Sequence, residues 1–303
     1  MRPIYNRTAC GCLALIIACA SAFATNPLTV ESSPDSVYTF EYGAPFGGPK
    51  FHLLLRGGRK PAIKFCGERS VFLLGCRTDT TNIARWQQFE DLLSKIQFSQ
   101  LPEKYTSSAS DMPGYQLCRQ RPRKCLLVEE YPDLPENLKH LDETIGLIFG
   151  LDRWMDGTVE AVKRLKAEHY NFNLRAHRTS VEEESAYGGQ TTMLIRAVEY
   201  SKSASVVAGL LKAGADIHRR DGAGFSPLMR AIDLVPDGYA KTAVLLHAGA
   251  NVCDRGPDGD TSLSLVRKRR SGLPDDPEVT EDKAELGKIE RLLIDSGDHC
   301  GEK

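Results

Sequence analysis

The sequence predicts two architectures in series: an α+β N-terminal domain, with an antiparallel sheet and one or two helices, followed by an all-α solenoid of helical repeats. Three observations carry this reading. Short β-branched and aromatic runs separated by Gly/Pro-rich turns occupy the first half. A pentapeptide motif recurs at a 35-residue step from Gly189 onward. Six of the nine cysteines lie beyond residue 24, an even set that suits a disulfide framework. At 41% hydrophobic and 26% charged residues the chain has the composition of a folded protein. A net charge of −1 gives no global basis for binding nucleic acid or an anionic membrane surface.

Residues 1–24 read as a signal peptide. Arg2 and Arg7 make a basic start, Cys10–Ala20 is apolar but short for a membrane span, and Ala22-Phe23-Ala24 supplies the small residues of a cleavage site. Cleavage after Ala24 would leave Cys66, Cys76, Cys118, Cys125, Cys253 and Cys300, and the expected location is the periplasm or the outside of the cell. Two alternatives stay open. The segment is an N-terminal membrane anchor, or Ile16-Ile17-Ala18-Cys19 is a lipoprotein box whose lipidated Cys19 tethers the protein to a membrane face. For a chain processed as an exported protein, membrane association is expected only if Cys19 is lipidated.

Residues 25–36 are a polar leader, and residues 37–150 are assigned to the α+β domain. Val37–Tyr42 and Phe51–Arg56 flank the turn-rich "GAPFGGPK" and predict a hairpin, which Ala62–Cys66 and Ser70–Cys76 extend. A helix is predicted over Thr81–Gln97, with Ile83, Trp86, Phe89, Leu93 and Ile96 on one face and Asp79, Thr80 or Thr81 as its cap. "YQLC" and "KCLLVEEY" predict a second hairpin, and Pro135–Gly150 a second helix. The spacings favour local bridges Cys66–Cys76 and Cys118–Cys125, with six free thiols as the alternative. Trp86, Phe89, Leu92, Leu93, Tyr105, Asp111, Tyr115 and Leu138, taken in that order across residues 37–154, resemble a bacterial domain family of unknown function found in exported proteins. That resemblance implies no chemistry.

Residues 151–303 carry the repeats. Gly189–Met193 recurs as Gly224–Leu228 and Gly259–Leu263, and Leu210–Ile217 recurs as Leu245–Val252. An earlier degenerate copy places Leu165 at the position of Leu210 and Phe172 at that of Ile217, and another closes the chain at Leu293–Asp298. About four units result, the first and last degenerate. Ser226-Pro227-Leu228 has the chemistry of a helix start: a capping hydroxyl, a proline with no donor to lose, and a core leucine. Gly214 and Gly249 suit left-handed helix ends. These residues resemble ankyrin repeats, whose pattern is G-x-T-P-L…A…L-L-x-x-G-A-D-x-N. The resemblance implies an all-α ankyrin-repeat solenoid that grips another protein through its concave face and the tips of its turns. His218, Arg219 and Arg220 would stand at one such tip and Arg255 at the next, with plain solvated loop charges as the alternative. Cys253 and Cys300 fall at near-equivalent positions of adjacent repeats. Stacked repeats stand about 10 Å apart and a disulfide needs Cα atoms within about 7 Å, so pairing them requires a local shift.

No metalloprotease, nucleophile-elbow or Walker-type motif is present among the seven scattered histidines and the glycine-rich turns. Glu182–Glu184 and the basic run Arg267–Arg270 read as solvated charge. No catalytic residue, metal or cofactor is therefore expected. The expected partner is another protein and not a nucleic acid. A membrane scaffold anchored through Cys19, and an enzyme with its site in the N-terminal domain, are the alternatives.

Overall fold

In the computed structural model the described residues are 36–44, 48–106, 112–129, 134–177, 189–233, 238–274, 276–297 and 300. The signal peptide, the leader, Cys19 and Glu182–Glu184 lie outside them. Seven strands form one sheet: β1 (Val37–Gly43), β2 (Lys50–Arg56), β3 (Ala62–Arg69), β4 (Gly75–Thr80), β5 (Lys104–Tyr105), β6 (Gly114–Arg119) and β7 (Lys124–Glu129). Their spatial order is β4-β3-β2-β1-β6-β7-β5. Alternation sets the inner face. Leu126, Leu117, Phe40, Leu53 and Phe65 form one cross-strand row, all buried, because each directly opposes the next. Helix α1 (Ile83–Lys95) and helix α2 (Leu141–Phe149) cover this face, with Phe89 and Phe149 in ring contact at 5.3 Å.

Several elements differ from the sequence expectation. Helix α1 is capped by Asn82, whose side chain accepts the Arg85 N–H at 2.8 Å, rather than by Asp79, Thr80 or Thr81. Those three residues end β4 or follow it, and Ile83 is exposed. Helix α2 begins only at Leu141, because His140 takes a left-handed conformation with φ 59°. "SVFLL" is not a strand. Val71, Phe72 and Leu73 are buried in a bend, and their backbone is satisfied outside the sheet. The Phe72 and Leu73 N–H groups donate to Met155 and Trp154 carbonyls at 2.7 and 2.9 Å. Gly67 permits this, since a Cβ there would lie 2.2 Å from the Leu73 carbonyl oxygen. The strand is instead the polar "GCRTDT", β4, at the rim of the sheet.

The fold class itself is corrected. The sheet is mixed, not antiparallel, because β5 runs parallel to β7. The second half is not an all-α solenoid standing apart from the sheet. It contains a two-stranded sheet, β8 (Ala176–His177) with β9 (Gln190–Thr191). A π-helical turn, Arg153–Gly157, leads into helix α3 (Val159–Ala167) and joins it to the sheet core. Phe65 stacks on Trp154 with ring centroids 5.2 Å apart. The buried core runs without a break from Phe40 in the sheet to Leu293 near the C-terminus. The result is an α+β arrangement with a large sheet and helix pairs built onto it.

Those pairs are α4 (Met193–Tyr200) with α5 (Ala204–Ala213), α6 (Pro227–Asp233) with α7 (Gly238–His247), and α8 (Ser262–Gly272) with α9 (Thr280–Asp295). The Ser226 hydroxyl accepts the Met229 N–H, and the Thr261 hydroxyl accepts the Ser264 N–H, each at 3.3 Å. In the first copy the cap is Thr192, one residue later than the repeat register, because Thr191 is engaged in β9. Gly214 and Gly249 end their helices with φ 102° and 91°.

Among the described residues three disulfides are formed: Cys66–Cys76, Cys118–Cys125 and Cys253–Cys300. The first two join directly opposed residues of neighbouring strands. In the third the Cα atoms are 5.2 Å apart, so the chain beyond α9 supplies the local shift. Such a set is consistent with an oxidising compartment. Among the described residues no helix is long and apolar enough to cross a membrane.

Candidate functional site

The turns between helix pairs repeat in atomic detail. The carboxylate of Asp216 accepts the His218 N–H at 2.9 Å, and the side-chain oxygen of Asn251 accepts the Cys253 N–H at 3.0 Å. Asn171 does the same for Asn173 at 3.0 Å, which places the degenerate first copy in the same register. Neighbouring turns are laced together: the Asp216 N–H donates to Asn173 at 2.7 Å, and Asn173 donates to the Gly214 carbonyl at 3.1 Å.

The predicted tip residues divide into two kinds. His218 is exposed. Arg220 is tied down: its Nη1 donates to the Gly224 and Arg255 carbonyls, both at 2.7 Å, and its Nη2 lies 3.3 Å from Asp254. Arg255 is exposed but donates in the same way to the Gly259 carbonyl at 2.8 Å. Arg219 is half-buried, with its Nε shielded from solvent. Two of the four residues thus brace the turns. The basic run on α8 is also engaged within the chain: Arg267 and Arg270 both reach Glu290, at 2.8 and 2.9 Å, and Lys268 reaches Asp260 at 3.3 Å.

The inner side of the first helix pair is covered by the sheet body. Every residue of α4 from Met193 to Val198 is buried. Arg196, 2% exposed, donates its Nε to the Phe72 carbonyl at 2.9 Å, and Lys202 pairs with Asp156 of the π turn at 2.9 Å. A second tie crosses from strand β4. Asp79, 8% exposed, receives Arg164 of α3 at 2.7 Å and Arg153 at 3.2 Å, and Arg77 pairs with Glu168. Neither the buried arginine nor the carboxylate carries a local sequence signal, because their partners lie 124 and 85 residues away in the chain.

Burial, the largest single influence on Asp79, raises its pKa. The Arg164 hydrogen bond and charge, the Arg153 charge and the Thr80 N–H together outweigh it, and the net direction is down. A carboxyl lowered in the folded state contributes stability that is complete above its unfolded pKa of about 4 and is lost as pH falls through the lower folded value. Asp79→Asn is therefore expected to destabilise by about 1–3 kcal/mol at pH 7, the range for losing a hydrogen bond to a charged group. Urea titrations of both proteins at pH 7 and pH 3 check this. The gap between them should narrow at pH 3, and a gap independent of pH would refute the ion-pair account.

On the outer side, α3 and α5 enclose a groove of about 350 Å³. Val159, Val162, Ala208, Gly209 and Ala213 form its apolar walls, and Lys163, Lys166 and Lys212 stand exposed around it. A methyl group added at Gly209 would meet only Val162, at 3.8 Å, so this glycine answers to no steric demand from the body. A mid-helix glycine weakens a helix by about 1 kcal/mol relative to alanine, and here it deepens the groove.

No protein-family model matches the chain, and no curated protein matches it in sequence.

Proposed function

We propose that this chain is an exported protein-interaction module. Its helix-pair repeats, similar to ankyrin repeats in motif, hold an acidic, apolar-faced segment of a partner protein in the groove between α3 and α5. The observation that carries this reading is the groove itself, where an apolar floor and three exposed lysines meet on helices whose other face is buried. Apolar contact along a helix stripe with complementary charge at its rim is how grooves take amphipathic helices. His218 is exposed in the turn that follows α5, while Arg220 and Arg255 brace this turn and the next. Soluble export to the periplasm or beyond is part of the proposal, and it rests on the signal-like N-terminus and the disulfides.

The test uses two fluorescein-labelled helical peptides that share one leucine stripe, the first with glutamates and the second with lysines on the polar face. Fluorescence anisotropy should show the acidic peptide binding and the basic peptide failing to bind. Lys163→Glu/Lys212→Glu should weaken the acidic peptide by about tenfold or more, as reversal of two rim charges implies. Equal binding of both peptides, or an unchanged affinity in the reversed variant, would discard the groove.

A further inference from the structure

The two disulfides on the outward face of the sheet have different surroundings. His52, Cys66 and Cys76 are consecutive cross-strand neighbours on β2, β3 and β4. A ring nitrogen of His52 and both sulfur atoms all lie within 4.8 Å of one another. Cys76 is exposed on the rim strand, whereas Cys66 is 3% exposed. Beside them the β2–β3 pairing carries a bulge: Lys50 opposes Arg69 and Phe51 opposes Gly67, which leaves Glu68 as the extra residue. Bulges re-aim side chains. This one delivers the Glu68 carboxylate to His52 Nδ1 at 3.1 Å, with Lys50 at 2.9 Å on its other oxygen. The His52 hydrogen bond, helped by Lys50 and opposed by burial, draws the Glu68 carboxyl down to about 2, so it faces the imidazole as an anion.

Cys118–Cys125 is the natural comparison. It also joins directly opposed residues, with a Cα separation of 4.0 Å against 3.9 Å. The neighbour of Cys118 on the next strand is Thr39, where Cys66 has His52. Among the described residues, the His52–Cys66–Cys76 group is the one cluster of histidine, cysteine and acid side chains this close together.

We propose that Cys66–Cys76 is a redox-active disulfide that oxidises a dithiol of a partner protein, with Cys76 the sulfur attacked and His52 the acid for the departing Cys66 thiolate. A partner thiolate bonds to Cys76 Sγ, the Cys66–Cys76 bond breaks, and its electron pair leaves on Cys66. The imidazolium of His52, held by Glu68, gives that thiolate its proton and is reprotonated from solvent. The partner's second thiolate then attacks the partner sulfur of the mixed disulfide, and Cys76 leaves and takes a proton from solvent. Two electrons and two protons pass from the dithiol to the two cysteines, and the partner is left with the disulfide. Exposure selects Cys76 for attack, and stabilising the leaving thiolate is the lever by which a neighbouring cation speeds exchange.

The experiment exposes the full chain, with its bridges intact, to excess dithiothreitol. Opening of each bridge is followed by acid quenching, alkylation and peptide mass spectrometry. Cys66–Cys76 should open about tenfold or more faster than Cys118–Cys125. His52→Gln should slow the first by about tenfold and leave the second unchanged, and this second rate reports that the fold is intact. Glu68→Gln, which keeps the imidazole and a hydrogen-bond acceptor beside it but removes the negative charge that favours the imidazolium, should give a smaller slowing of the first bridge alone. Equal opening of both bridges in the parent protein, or a rate ratio unmoved by His52→Gln and Glu68→Gln, would overturn the proposal and leave Cys66–Cys76 a structural staple.

Discussion

Asp221→Ala is expected to lower the stability of the folded chain by about 3–5 kcal/mol, the range for removing one partner of a buried ion pair. The Asp221 side chain is fully enclosed and accepts hydrogen bonds from Arg230 Nε at 2.7 Å and the Phe225 N–H at 2.9 Å, with Arg230 Nη2 in ion-pair contact at 2.5 Å. Arg230 is 6% exposed and its guanidinium lies over the Phe225 ring at 4.3 Å. Removing the carboxylate leaves a cation shielded from water, with Glu199 at 3.9 Å too distant to replace the hydrogen bond at 2.7 Å and the ion-pair contact beside it. The turn also loses its brace, because Asp221 and Phe225 exchange backbone and side-chain bonds across it. Denaturant unfolding at pH 7 measures the loss, and a value below about 1 kcal/mol would mean that Glu199 moves in to take the charge. Asp221→Ala/Arg230→Met should be milder than the single substitution, since it removes the orphaned charge as well. A double variant that is worse than the single one would show that the turn brace, not the ion pair, dominates.

The same residues mark what the sequence could and could not disclose. The 35-residue step, the cap at Ser226 and the left-handed glycines depend on local chemistry, and they stand in the sequence as they stand in the structure. The β1–β2 and β6–β7 hairpins were likewise legible from their apolar runs and connectors, whereas Leu53, Leu54 and Leu55, buried in succession, break the alternation that would mark one face. Val71–Leu73 misled for a definite reason. Apolar character reports burial and not pairing, and these residues are buried by a bend whose backbone bonds go to the π turn, more than eighty residues away in sequence. Strand β4 was hidden by the converse: its pairing is strong, but a rim position leaves its side chains polar. The burial of Arg196 and Asp79 has no local signal because their partners, Phe72 and Arg164, lie far off in sequence. For the candidate site, the charges at 218–220 could be seen, but Arg220 turned out to be spent on turn carbonyls. The groove between α3 and α5 needed a helix of the degenerate first unit to be brought beside one of the next repeat, which no single stretch predicts.

Cys253→Ser/Cys300→Ser is expected to cost about 4 kcal/mol in the chain-entropy account, more than either of the other two bridges at about 2.5 kcal/mol. The order follows from loop size: this bridge spans 47 residues in sequence, against 10 for Cys66–Cys76 and 7 for Cys118–Cys125. Its location adds to the effect. The last helix pair stacks on a neighbour from one side only, and of the residues of α8 just Ser262 and Val266 are buried. Helix α9 contributes Leu286, Ile289 and Leu293, and the bridge ties the chain just beyond it back to the turn of the preceding unit. A terminal unit with so little apolar contact opens locally before the body does. Hydrogen exchange in the double-serine variant should therefore accelerate first over residues 262–297, while the sheet core stays protected. Denaturant unfolding of the three double-serine variants ranks the bridges. If Cys118→Ser/Cys125→Ser costs more than Cys253→Ser/Cys300→Ser, loop length is not the governing quantity, and strain or residual structure in the unfolded chain must set the order instead.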